Sequence, residues 1–98
     1  MASPFRFERV AIVGIGLIGA SIALALRQFG FGGPIAIADC SADALRDARE
    51  LQLGTSYSLS AADAVAGADL VILCVPVGAV GAIGEAIAPA LKPGAIVT

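Results

Sequence analysis

Residues 14–19 read Gly-Ile-Gly-Leu-Ile-Gly, placed between the apolar run Val10-Ala11-Ile12-Val13 and a long proline-free stretch. No other feature restricts the fold as much. Glycine weakens helix and strand interiors, so three at fixed places ask for a turn with special backbone geometry. The bare Gly-x-Gly-x-x-Gly pattern says little in a chain with 12 glycines. Its weight comes from following a strand-like run and opening a helix-like one. In that setting Gly14 permits a tight turn, Gly16 lets a pyrophosphate approach the backbone, and Gly19 lets the helix pack close to the strands. The free N–H groups and the positive end of the helix dipole then meet the phosphates.

Alternation of elements continues along the chain. A first strand is expected over residues 9–14 and a helix over 17–29, apolar almost all round, so most of its circumference should be buried. Gly30 and Gly32-Gly33-Pro34 stop it. A second strand over 35–38 ends at Asp39, Ser41 caps a helix over 42–53, and Gly54 is its expected stop. On the outer face of that helix Arg46 and Glu50 are spaced to pair. A short third strand is expected near 56–59. Ser60-Ala61-Ala62-Asp63 resembles a capping box opening a short helix to about residue 66. Asp69 leads a strand over 70–75, which Pro76 ends. A last helix is expected over 79–91, and residues 95–98 begin a fifth strand. Unbroken apolar strands alternating with helices imply an α/β fold: a parallel sheet of about five strands with helices on both faces.

Composition removes several classes of function. The apolar share is 58% and the charged share 14%, against about 25% charged in an average domain. Disorder is excluded by that balance. Six basic residues against eight acidic ones give a net charge of −2, which offers no surplus for nucleic acid. Histidine is absent, which removes the commonest general base and metal ligand, and no metal site is expected. Cys40 and Cys74 match no metal spacing and are read as reduced thiols of a cytoplasmic protein, although counting alone leaves one disulfide open. A membrane span or leader over residues 10–26 is also conceivable. Its length sits at the bottom of the spanning range, ~17–25 residues, and three glycines interrupt it, so no membrane partner is expected. The remaining account of the mean hydropathy of +0.93 is a piece of a larger protein. It should show a contiguous apolar patch around the carboxyl edge of the sheet and the last helix.

Ligands of such sheets sit beyond the carboxyl ends of the strands. The ends available here are Gly14 to Gly16, Asp39-Cys40-Ser41 and Cys74-Val75-Pro76-Val77. Asp39 falls about 20 residues past Gly19, where a carboxylate accepts hydrogen bonds from an adenosine ribose. That carboxylate would repel the 2′-phosphate of NADP, and no base follows until Arg46, so NAD is the favoured cofactor. Cys74 and Cys40 are read as small apolar residues rather than reactive thiols, and Ser21 as bonding locally within its helix.

The segment Val10-Ala11-Ile12-Val13-Gly14-Ile15-Gly16-Leu17-Ile18-Gly19-Ala20-Ser21 resembles the opening of the prephenate/arogenate dehydrogenases of tyrosine biosynthesis. Asp39 with Ala44-Leu45 and Ala48 to Gly54 is similar to their second strand and helix. Asp69-Leu70-Val71-Ile72-Leu73-Cys74-Val75-Pro76-Val77 resembles their fourth strand. Residues 91–98 look like the segment before the family's next motif. The resemblance covers about residues 8–98 and implies that residues 1–98 are a nucleotide-binding domain of Rossmann type. A helical domain that dimerises would follow, and it would carry the catalytic histidine. Prephenate or arogenate would be the substrate. Carried over residue by residue, Gly14, Gly16, Leu17, Ile18 and Gly19 would meet the pyrophosphate, Asp39 the ribose, and Val75, Pro76 and Val77 the nicotinamide side. No catalytic residue can be carried over. Two alternatives stand beside this: the nucleotide domain of a β-hydroxyacid dehydrogenase or imine reductase, and a non-catalytic nucleotide-sensing module.

Overall fold

The computed structural model describes residues 7–98. Residues 1–6, where a leader would begin, lie outside the described residues. Strand β1 (Val10–Val13) is buried on both sides because its side chains alternate between two cores. Val10 and Ile12 join Ile35, Ile37, Leu45 and Leu53 on one face. Ala11 and Val13 join Val65, Val71 and Ile87 on the other.

The sheet contains β2 (Ile35–Ala38), β3 (Ser56–Ser58), β4 (Leu70–Leu73) and β5 (Ile96–Val97) beside β1. Its order is β3-β2-β1-β4-β5, with every pairing parallel. Val13 pairs with both Ala38 and Leu73, so the first, second and fourth strands end level. Helices α1 (Leu17–Gln28) and α2 (Ala42–Glu50) serve the first core. Helices α3 (Ala61–Val65) and α4 (Val77–Ile87) serve the second. The α/β class and helices on both faces are therefore as the sequence implies.

Helix α1 ends as glycine chemistry dictates. Gly30 takes φ +94, its N–H donates to the Arg27 carbonyl, and the Phe31 N–H donates to that of Leu26, which is a Schellman ending. Helix α2 uses the same ending three residues before the expected limit. Gln52, not Gly54, takes the left-handed conformation with φ +55. Its N–H meets the Arg49 carbonyl and the Leu53 N–H meets that of Ala48. Leu53 is then carried into the core, 4% exposed. Gly54 instead makes room for β2, since a Cβ there would lie 2.7 Å from the Ile37 methyl and 2.8 Å from the Ile35 carbonyl oxygen.

Other expectations need correction. Arg46 bridges Asp43 at 3.4 Å and Asp47 at 4.0 Å rather than reaching Glu50. Helix α4 starts two residues earlier than expected and gives way to a 3-10 turn (Ala88–Ala90), because Pro89 cannot continue an α-helix. Helix α1 is not buried around most of its circumference. Leu17, Ile18 and Leu24 stand on its outer side and are exposed, while Gly19 and Ala23 are buried. Ser60 caps α3 by accepting from the Asp63 N–H. The reciprocal half of the capping box is missing, since the Ser60 N–H donates to Ser58 Oγ.

At the amino edge of the sheet, Asp69 Oδ2 accepts from the N–H groups of Glu8 and Arg9 at 2.7 and 2.9 Å. Its Oδ1 meets the Lys92 ammonium. The Lys92 hydrogen bond, then those two backbone donors, hold the carboxyl well below its ordinary 3.8, at about 2.

Candidate functional site

Strand order reverses between β1 and β4. Here α1 leaves on one face of the sheet and α4 on the other, so their N-termini diverge above the carboxyl edge and leave a crevice. A cleft of about 390 Å³ fills it. Its floor is Val13, Gly14 and Gly16 from β1 and its turn, with Ala38, Asp39 and Cys40 from β2. The far wall is Cys74, Val75 and Pro76 after β4, with Ile83 of α4, and Leu59 and Ala61 close the β3 side. A second, shallower hollow of about 900 Å³ shares Gly16, Cys74, Val75 and Pro76 with the first. It continues over Leu17, Ile18, Gly19 and Ile22 towards Leu70, Ile72, Leu73 and Thr98.

Each glycine of the turn meets a distinct constraint. Gly14 has φ +92, and a Cβ there would fall under 3.0 Å from the Cys74 carbonyl oxygen. A Cβ at Gly19 would be equally close to the Gly14 carbonyl oxygen. At Gly16 nothing lies within 4 Å. Two glycines are thus required by the protein's own packing, while the third faces open space. Helix α1 has no side-chain cap and no acidic residue in its first turn, so the leading amides of Leu17, Ile18 and Gly19 point outward for an anion. By contrast α2 and α3 are capped by Ser41 and Ser60.

Among the described residues, Asp39 is the only ionisable carboxylate lining either hollow, and neither lining includes lysine or arginine. An anion here would be held by backbone amides and the helix dipole. Asp39 Oδ2 accepts from the Ile15 N–H at 2.9 Å and Oδ1 from the Ser41 N–H at 2.9 Å. A carboxylate offers about four lone-pair sites, so two remain for ribose hydroxyls. These residues fit a dinucleotide: an open Gly16 between two hollows, uncapped amides, and a carboxylate one strand away.

Of the expected site residues, Gly14, Gly16, Asp39, Cys40, Val75 and Pro76 meet in the cleft. Leu17, Ile18 and Gly19 border the adjoining hollow. Ser41 and Val77 line neither. The Ser41 hydroxyl accepts from the Ala44 N–H as the α2 cap, and Val77 opens α4 at 91% exposed. Both cysteines line the cleft as free thiols. They follow the ends of β2 and β4, the strands on either side of β1, roughly 10 Å apart across two strand spacings, too far for a disulfide; Cys74 is half-buried and Cys40 exposed. Burial pushes the Cys74 thiol up from its ordinary 9.0, so it is not an activated nucleophile. Ser21 donates to the Leu17 carbonyl at 2.9 Å, the expected local bond. Leu59, Ala61, Ile83 and Ile15 escaped sequence reasoning. Only a firm end for β3 would have drawn attention to the first two.

Strand order 3-2-1-4-5, a glycine turn at the reversal and a carboxylate closing β2 define a nucleotide-binding domain of Rossmann type. A family model described as the nucleotide-binding domain of prephenate dehydrogenase matches residues 22–98, and the chain belongs to that family. The match begins after the glycine turn. Over 91 residues the chain is 43% identical to a cyclohexadienyl dehydrogenase of Zymomonas mobilis, covering 93% of this chain and 31% of the relative. It superimposes on a prephenate dehydrogenase of A. aeolicus, solved with hydroxyphenyl propionate and NAD+, with a TM-score of 0.88 and 28% identity. That match covers 97% of this chain and 34% of the other. Synechocystis arogenate dehydrogenase gives 0.81 and 30%, covering 91% and 31%. The chain thus spans about a third of the length of these relatives. No helix among the described residues is long and apolar enough to cross a membrane.

Proposed function

We propose that residues 1–98 are the NAD-binding domain of a cytoplasmic dehydrogenase acting on prephenate or arogenate. Prephenate would be oxidised with decarboxylation, and arogenate dehydrogenated. The observation that carries this is the glycine turn at the strand reversal, open at Gly16 and flanked by the Asp39 carboxylate. Gly14, Gly16, Leu17, Ile18 and Gly19 would hold the pyrophosphate through backbone amides, with no basic side chain needed. Asp39 and Cys40 would border the adenosine ribose. Val75 and Pro76, shared by both hollows, would lie along the middle of the ligand. Bound there, NAD supplies a hydride acceptor. The catalytic and substrate-reading side chains, and the surface that makes a homodimer, would come from a further domain.

Calorimetric titration with NAD, NADP and ADP tests the reading. NAD and ADP should bind, and NADP more weakly because its 2′-phosphate meets Asp39 with like charge. No heat with NAD at millimolar concentration would overturn it. Turnover of prephenate against arogenate by the whole protein identifies the substrate.

A further inference from the structure

The Asp39 side chain does something other than await a ribose. Its two oxygens are already fixed, one by the Ser41 N–H and one by the Ile15 N–H, 24 residues away in the glycine turn. Ile15 itself is only 6% exposed and belongs to the core on the α1–α2 face. The turn is therefore held at one residue by two means, a buried side chain and an amide bound to an anion. On either side of that residue stand glycines. Gly14 has φ +92 and Gly16 has no neighbour within 4 Å of where a Cβ would be. Neither has a side chain to hold the backbone in place. The Gly14 N–H is secured to the Ala38 carbonyl at 2.7 Å, so the strand is anchored up to that point. Beyond it, Asp39 supplies the link between β2 and the turn.

Resting on the dinucleotide reading of the cleft, we propose that Asp39 is a positioning residue for the phosphate-binding turn. By holding the Ile15 amide it orients Gly16 and the first amides of α1 towards the anion, independently of any contact with ribose hydroxyls. Loss of the carboxylate then weakens pyrophosphate binding itself, not only recognition of the sugar. A residue that merely touches the ribose would have no such effect.

Two probes separate the roles. 2′,3′-Dideoxyadenosine diphosphate carries the pyrophosphate without ribose hydroxyls, and adenosine carries the hydroxyls without phosphate. Both are titrated by NMR against the wild type, Asp39→Ala and Asp39→Asn. The expected result is that Asp39→Ala weakens dideoxy-ADP binding about tenfold or more, the scale of losing a charge-assisted hydrogen bond. Asp39→Asn keeps one acceptor oxygen; turned to the Ile15 N–H, with its NH2 then facing the Ser41 N–H, it restores part of the loss. Dideoxy-ADP binding within twofold of wild type in Asp39→Ala, with only adenosine weakened, overturns the proposal. Should Asp39→Ala fail to fold, Asp39→Asn and amide hydrogen exchange in the wild type decide. The Ile15 amide should exchange more slowly than those of Gly16 and Leu17, and equal rates overturn the proposal. If wild type binds neither probe, the site reading fails first, before any variant is compared.

Discussion

Alanine placed at Gly14 and at Gly16 should separate what the glycine turn does for folding from what it does for ligand. At Gly14 two penalties add. A φ of +92 strains an L-residue by roughly 1–2 kcal/mol. The new Cβ would also press on the Cys74 carbonyl oxygen, a backbone atom that cannot rotate away, and such overpacking costs about 1–3 kcal/mol. The total, ~2–5 kcal/mol, is a large part of the 5–15 kcal/mol of a typical domain. With a urea dependence of about 1 kcal/mol per molar for a chain this short, the midpoint of unfolding should fall by roughly 2 M or more. At Gly16 the φ is −52 and space is open. Only the preference for glycine over alanine at an N-cap is lost, about 0.5–1 kcal/mol. Enlarging that residue further, Gly16→Val, should instead weaken NAD binding at least tenfold, about 1.4 kcal/mol. Urea unfolding followed by far-ultraviolet circular dichroism and calorimetric titration read the two effects. Gly14→Ala as stable as wild type, or Gly16→Val binding NAD as before, would refute the assignment of roles.

Asp39→Ser combined with Cys40→Arg should narrow or reverse the preference for NAD over NADP, measured as a ratio of dissociation constants, because a repelling carboxylate is exchanged for an attracting guanidinium. The Asp69 carboxyl, at about 2 in the folded protein, adds stability that is complete above its unfolded value near 3.8 and is lost as pH falls towards 2. Asp69→Asn should therefore be less stable at neutral pH and should lack that acid-dependent loss, as read from urea midpoints between about pH 5 and 2. Gln52→Gly should raise stability by about 0.5–1 kcal/mol, since glycine takes the left-handed position without a Cβ penalty. A lowered melting temperature would contradict the Schellman ending of α2.

What could be read from sequence was what short-range sterics decides. Three glycines, a serine before each of α2 and α3, and the four-residue apolar runs of β1 and β4 all act within a turn or two of themselves. Pairings across the chain left no such mark. Asp69 reaches Glu8 and Arg9, about 60 residues back but just ahead of the neighbouring strand, and Asp39 reaches Ile15, yet no local pattern announces these bonds. Ile15 looks like a spacer because a motif defines its glycines and leaves the other positions blank. Leu59 and Ala61 escape notice because β3 is three residues long and polar at both ends, too short to show an alternation. Gly54 misleads through a real signal: glycine after a helix commonly stops it, but here a neighbouring strand needs the space more. Pro89 is visible in the sequence and is reason enough for α4 to end where it does.

The bare first turn of α1 has a consequence for how much of the protein is folded at any moment. Its amides form no side-chain cap, so an anion seated there does for this helix what Ser41 does for α2, but from solution and reversibly. Anything that binds only the folded state adds RT ln(1 + [L]/Kd), about 2.7 kcal/mol when the ligand is at a hundred times its dissociation constant. The free concentration of dinucleotide therefore becomes part of the protein's melting temperature. A damaging substitution in the packing away from the site, such as at Gly54, where a Cβ would press on Ile37, can be masked while ligand is abundant. A substitution at Gly16 has no such rescue, because it removes the rescuer's seat.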